Sequence, residues 1–102
     1  GSDIGGYGAT ENSEIYTRWL QFGTFSPYMR LHGQGEQDPW HWGDVAANTF
    51  VSHYWLRENL LNKIYSSAII ANKTGSPVSK SMAFIPRQQQ AFKQRKRVYV
   101  LR

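Results

Sequence analysis

Cysteine is absent from the 102 residues, which excludes a disulfide framework and any thiolate metal site and leaves the redox compartment open. No stretch approaches the roughly 18 consecutive apolar residues of a membrane-spanning helix. Metal-site spacing of the HExxH kind is missing around His32, His41 and His53, as is the GxSxG turn of a nucleophilic serine. The glycine groups GGYG and HGQG follow neither GxGxxG nor GxxxxGK, so a phosphate cradle is not indicated and no cofactor signature is present. Internal repeats are lacking. Methionine does not open the chain, which begins Gly1-Ser2, so the expectation is that the native N-terminus and any targeting segment lie upstream.

Acids are missing from residues 80–102, which carry seven bases, whereas residues 1–79 hold all seven acids against five bases. The formal charge of +5 therefore belongs to a tail containing PRQQQAFKQRKRVYVLR, and the body is mildly acidic. Nucleic-acid contact is a reading for the tail alone, and a solvated terminus is the plainer reading of the same cations.

What is present is globular in character: 40% hydrophobic and 15% aromatic residues, with four Trp, six Tyr and five Phe, enough for one small core. So many rings in a short chain point to a segment that packs against further protein or a ligand. ENSEIYTRWLQF predicts a helix capped by Asn12 or Ser13, with Ile15, Trp19 and Phe22 spaced along one face and Gly23 ending it. TFSPYMRLHG predicts a strand, GQGEQDPWHWG a loop. A long helix capped by Asp44 follows, with Ala47, Val51, Tyr54, Leu61, Ile64, Tyr65 and Ala68 as its stripe and Lys73-Thr74-Gly75 as its stop. Such a helix is on the order of 45 Å long, too long for a domain this size to bury. SPVSKSMAF and the terminal VYVL read as further strands. The order is α/β, and the pieces look like the last repeats of something larger.

Taken singly, the chemical candidates have ordinary explanations. Asp3 beside Gly5-Gly6 reads as a turn or cap residue, Tyr7 as a packed ring, and Arg30 with His32 as a solvated strand end. Residues i and i+2 of a strand nevertheless share a side, so Arg30 and His32 can serve one pocket. Asn72-Lys73-Thr74 matches a glycosylation sequon, a triplet common by chance.

Together the fragments are more specific. SDIGGY, then TRWLQFGTFSPYMRLHG, DPWHWG and a long helix ending in NKTGSPV resemble the late catalytic-barrel region of glycoside hydrolase family 31, the α-glucosidases and related α-glycosidases and transglycosylases. The resemblance runs from about Ser2 to about Phe84. It rests on Asp3, Ile4, Gly5, Gly6, Tyr7, Arg18, Trp19, Gln21, Gly23, Phe25, Pro27, Arg30 and His32. It implies a partial (β/α)8 (TIM) barrel of the last repeats only, with SDIGGY ending the seventh strand and Arg30 and His32 on the eighth. Residues 1–84 are then a fragment of that catalytic barrel, and 85–102 a basic tail of unknown role. The resemblance further implies that Asp3, Tyr7, Arg30 and His32 bind substrate: Asp3 and Arg30 pairing along the sugar subsite, His32 donating to a hydroxyl, Tyr7 facing the sugar's apolar side.

The family's chemistry is retaining, with two carboxylates about 5 to 5.5 Å apart. Both come from strands ahead of the DIGG motif, so the expectation is that this segment supplies neither and is inactive alone. Its partners would be an α-linked oligosaccharide or glucoside, the remainder of the barrel, and copies of itself through exposed edges, with no membrane. A non-catalytic carbohydrate-binding remnant is the alternative, and a nucleic-acid module built on the tail a weaker one. Two departures stand out: Asn62, where the family commonly has proline after paired leucines, and the unfamiliar continuation from Ile85.

Overall fold

The computed structural model describes residues 1–8 and 12–81. The basic tail, the VYVL strand and most of SPVSKSMAF lie outside the described residues, as does Glu11. Five elements follow in order: strand β1 (Ser2–Ile4), helix α1 (Ser13–Thr24), strand β2 (Met29–Leu31), a 3-10 turn (Pro39–Trp42) and helix α2 (Asp44–Thr74). Two compact units divide the chain, residues 1–61 and 62–102, with α2 contributing to both.

β1 and β2 pair in parallel, Ser2 opposite Met29, Asp3 opposite Arg30 and Ile4 opposite Leu31. Two parallel strands joined through a helix form the βαβ unit from which α/β folds are built. α1 starts because the Asn12 side chain accepts from the Ile15 N–H (3.0 Å), and Glu14 sits in its first turn and pairs with Arg18 one turn on. Its buried stripe is Tyr16, Leu20, Gly23 and Thr24. The expected stripe was different: Ile15 and Phe22 are exposed, and Trp19 packs only at the core's margin, its indole N–H donating to Ser2 Oγ (2.8 Å).

Gly23 does not end α1, which continues to Thr24. It is glycine because a Cβ there would lie 2.8 Å from Ile4 Cδ1, so helix and strand touch at backbone distance. The core of the first unit is Ile4, Tyr16, Leu20 and Ala46, with Met29, Leu31, Trp42 and Phe50 packed against it.

At α2 the cap is Gly43, whose carbonyl accepts from the Ala47 N–H (3.0 Å), while Asp44 occupies the first turn. The helix runs unbroken through Asn62, which keeps the backbone donor a proline would remove. It stops at Thr74, where Gly75 (φ 72°) takes the left-handed conformation and donates to the Ala71 carbonyl. The predicted stripe is only partly right. Ile64 is buried in the second unit and Ala46 in the first, but Val51, Tyr54, Leu61 and Tyr65 are exposed. Tyr54, Trp55 and Leu56 are consecutive, so apolar groups surround the helix and periodicity selects no single side. Among the described residues, no helix is long and apolar enough to cross a membrane.

Candidate functional site

In each short strand successive side chains alternate between faces. Ile4 packs against Gly23 of α1, so Asp3 and Arg30 occupy the opposite face, away from that helix. Being directly opposite in register, they meet there: Arg30 Nε donates to Asp3 Oδ1 at 2.5 Å. The Asp3 side chain is 20% exposed and that of Arg30 44%, so the pair is open to an incoming polar molecule on its arginine side. The Arg30 guanidinium also stands 5.9 Å from the centre of the Tyr28 ring.

Beyond β1 the chain folds back at once, Gly6 N–H donating to the Asp3 carbonyl (2.8 Å). Gly5 and Gly6 both adopt positive φ, 88° and 90°, and a Cβ on Gly5 would collide with the Tyr16 ring at 2.8 Å. This turn delivers Tyr7, whose ring lies 5.5 Å from that of His32, just past the end of β2, with 47° between planes. The two strand ends are laced together by the Gln34 N–H donating to the Tyr7 carbonyl (2.7 Å). At Gly33 a Cβ would sit within 2.9 Å of the Gly6 and Tyr7 carbonyls, so the crossing has room for no side chain.

The four sequence-predicted residues thus form two pairs, Asp3 with Arg30 and Tyr7 with His32, on strands or just past their C-terminal ends. That is the end at which parallel α/β architectures hold ligands. Such an array offers a carboxylate and guanidinium for hydroxyls, an imidazole as donor or acceptor, and a ring for an apolar face. Two open hollows of about 460 and 450 Å3 border α1 instead, one lined by Glu14, Arg18, Gln21 and Trp42 and the other by Ile15, Trp19 and Phe22. Neither includes any of the four. Among the described residues no cluster of three or more His, Asp or Glu is arranged to hold a metal.

Supporting residues escaped the sequence reading. The Tyr16 hydroxyl donates to the Gln37 carbonyl (2.8 Å), and its ring stacks on Trp42 at 5.1 Å, anchoring the loop that follows His32. Burial, with the Asp38 carboxylate adding to it, pushes the Tyr16 phenol up to about 12. Arg57 reaches from α2 to the carbonyls of Thr24 and Ser26 (2.8 Å each), Pro27 (3.2 Å) and Gly23 (3.5 Å). Its burial lowers the guanidinium pKa, an effect Glu58 opposes. The sequence hint was an arginine in WLRENLL with no acid at i−4 or i+4, hence no ion pair one turn away on its own helix.

Residues 1–67 match the family model for the TIM-barrel domain of family 31 glycosyl hydrolases. The chain belongs to glycoside hydrolase family 31. Family 31 relatives include alpha-glucosidase 2 of Bacillus thermoamyloliquefaciens, 36% identical over 87 residues that cover 82% of this chain and 11% of the relative. An alpha-xylosidase of Emericella nidulans is 30% identical over 82 residues (79% and 10%), and a 1,6-alpha-glucosyltransferase of Sporosarcina globispora 32% over 84 residues (74% and 6%). The chain thus spans about a tenth of the length of the curated relatives it matches. No solved structure gave a significant match. Membership in this family makes residues 1–67 part of an α/β barrel domain.

Proposed function

We propose that this segment is the closing part of a family 31 catalytic barrel and forms one wall of its sugar subsite, in an enzyme that hydrolyses or transfers α-linked glucosyl residues with retention. The observation that carries the reading is the Asp3–Arg30 pair, set in register on parallel strands, with Tyr7 and His32 ring to ring beyond the strand ends. In this reading Arg30 holds the Asp3 carboxylate where it accepts from sugar hydroxyls, His32 donates to another hydroxyl, and Tyr7 covers an apolar sugar face. The nucleophile and the acid/base are carboxylates of earlier strands, since a retaining displacement needs two of them about 5 to 5.5 Å apart. None of the acids here falls in such a motif.

The test is kinetic. In the catalytic domain that carries this segment, Asp3→Ala and His32→Ala are each expected to lower kcat/KM on an aryl α-glucoside by about ten- to a hundredfold, the scale of a lost hydrogen bond to a charged or buried group. Melting temperatures should stay close to wild type, because both side chains lie off the core. Unchanged kinetics would remove them from the subsite.

A further inference from the structure

Arg57 carries a role that membership in the family does not assign. Its guanidinium joins four carbonyls on one short stretch: Gly23 and Thr24 at the end of α1, and Ser26 and Pro27 in the link to β2. Thr24 ends α1, where the last carbonyls lack helical partners and the negative end of the helix dipole favours a cation, while the Gly23 carbonyl also accepts from the Ser26 N–H (3.0 Å). The planar fork of arginine reaches several of them at once, which a lysine ammonium on a flexible stem does not. Arg57 is only half-buried, and three of its four contacts lie within 3.2 Å.

The clamp matters because it lies directly ahead of β2. Pro27, the last residue held, precedes Arg30 by three positions, and β2 is itself only three residues long. So short a parallel ladder fixes its own register weakly, while a slip of one residue would turn Arg30 to the face of Ile4 and away from Asp3. Gly23 is also the point where α1 touches Ile4 and Met29. The clamped stretch therefore ties β1, α1 and β2 to one height.

We propose that Arg57 is a positioning residue: by holding the Gly23–Pro27 carbonyls it sets the register in which Arg30 meets Asp3. Its bearing on turnover rests on the subsite reading above, and the experiment keeps the two apart.

In the catalytic domain carrying this segment, Arg57→Gln and Arg57→Lys are compared with Arg30→Gln and with the double variant Arg57→Gln/Arg30→Gln. Backbone hydrogen exchange over residues 27–31 reads register without reference to activity. Exchange there should quicken at least tenfold in Arg57→Gln and less in Arg57→Lys, which keeps the cation if the glutamine variant does not fold. Misplacement of a binding group on the ångström scale costs up to about a hundredfold in rate. kcat/KM should accordingly fall by about ten- to a hundredfold in Arg57→Gln, and the double variant should be no worse than Arg30→Gln alone, since the first loss acts through the second residue. Unaltered exchange in both Arg57 variants, or losses that multiply in the double variant, would overturn the proposal. If Arg30→Gln leaves kcat/KM unchanged, the subsite reading fails by itself, and exchange over 27–31 still decides for or against the clamp.

Discussion

A buried phenol with a single carbonyl partner makes Tyr16 sensitive to alkaline pH. Its ring, on α1, is fully buried and stacks on Trp42, and its hydroxyl donates to the Gln37 carbonyl. The phenol pKa rises from 10.0 to about 12 in the folded chain. Above pH 10 the unfolded chain releases a proton that the folded chain still holds, so the stabilisation is intact below about 10 and disappears as pH climbs to 12. A shift of two units corresponds to about 2 to 3 kcal/mol. Denaturant midpoints should therefore fall more steeply between pH 10 and 12 in wild type than in Tyr16→Phe, which has no phenol to ionise at this buried position. At pH 7 the same variant should be destabilised by about 1 to 3 kcal/mol, because the Gln37 carbonyl loses its donor. Parallel pH profiles for the two proteins would show that this phenol is not held away from water.

Helix α1 turns on whether its glycine is a stop or a contact. Replacing a helical glycine by alanine ordinarily stabilises by about 1 kcal/mol. At Gly23 the added methyl would meet Ile4 Cδ1 at 2.8 Å and Cγ1 at 3.2 Å, and Ile4 is fully buried with little room to move. Overpacking of a tight core costs about 1 to 3 kcal/mol, so the sign reverses. Gly23→Ala should lower the melting temperature and Gly23→Ala/Ile4→Val should recover part of the loss; a more stable single variant would contradict the close approach. Asn12→Ala should cost about 1 kcal/mol through the lost cap. This helix also shows where sequence reading reaches its limit. Its extent and cap were legible because capping and charge are local. Its buried side was not, since Ile15, Trp19 and Phe22 share a period with Tyr16, Leu20 and Gly23, and only the position of β1 and β2 decides between them. The pairing of Asp3 with Arg30 across 27 residues was expected from the family resemblance alone, since on pattern each residue had an ordinary explanation. Arg57 was not, because its partners stand about thirty positions away and are carbonyls, which no side-chain pattern reveals.

For the molecule as a whole, the balance between covered and uncovered surface sets behaviour. In the described residues β1 and β2 pair only with each other, leaving each an open edge, and a two-stranded sheet is marginal in water. Ile15, Phe22, Trp40, Val45, Trp55 and Tyr65 add large exposed apolar groups. A barrel would pair both edges with neighbouring strands and lay helices against one another, covering what is open here. The purified 102-residue chain should therefore self-associate, with a mass by light scattering that rises with concentration, whereas the catalytic domain carrying the same segment should stay at one mass. The chain should also leave an aryl α-glucoside unhydrolysed, while the domain turns it over. A chain that is monomeric at every concentration would mean that these edges need no barrel to cover them. Turnover by the chain, abolished by replacing one of its seven acids, would place the nucleophile within the segment and displace the earlier-strand carboxylates from the mechanism.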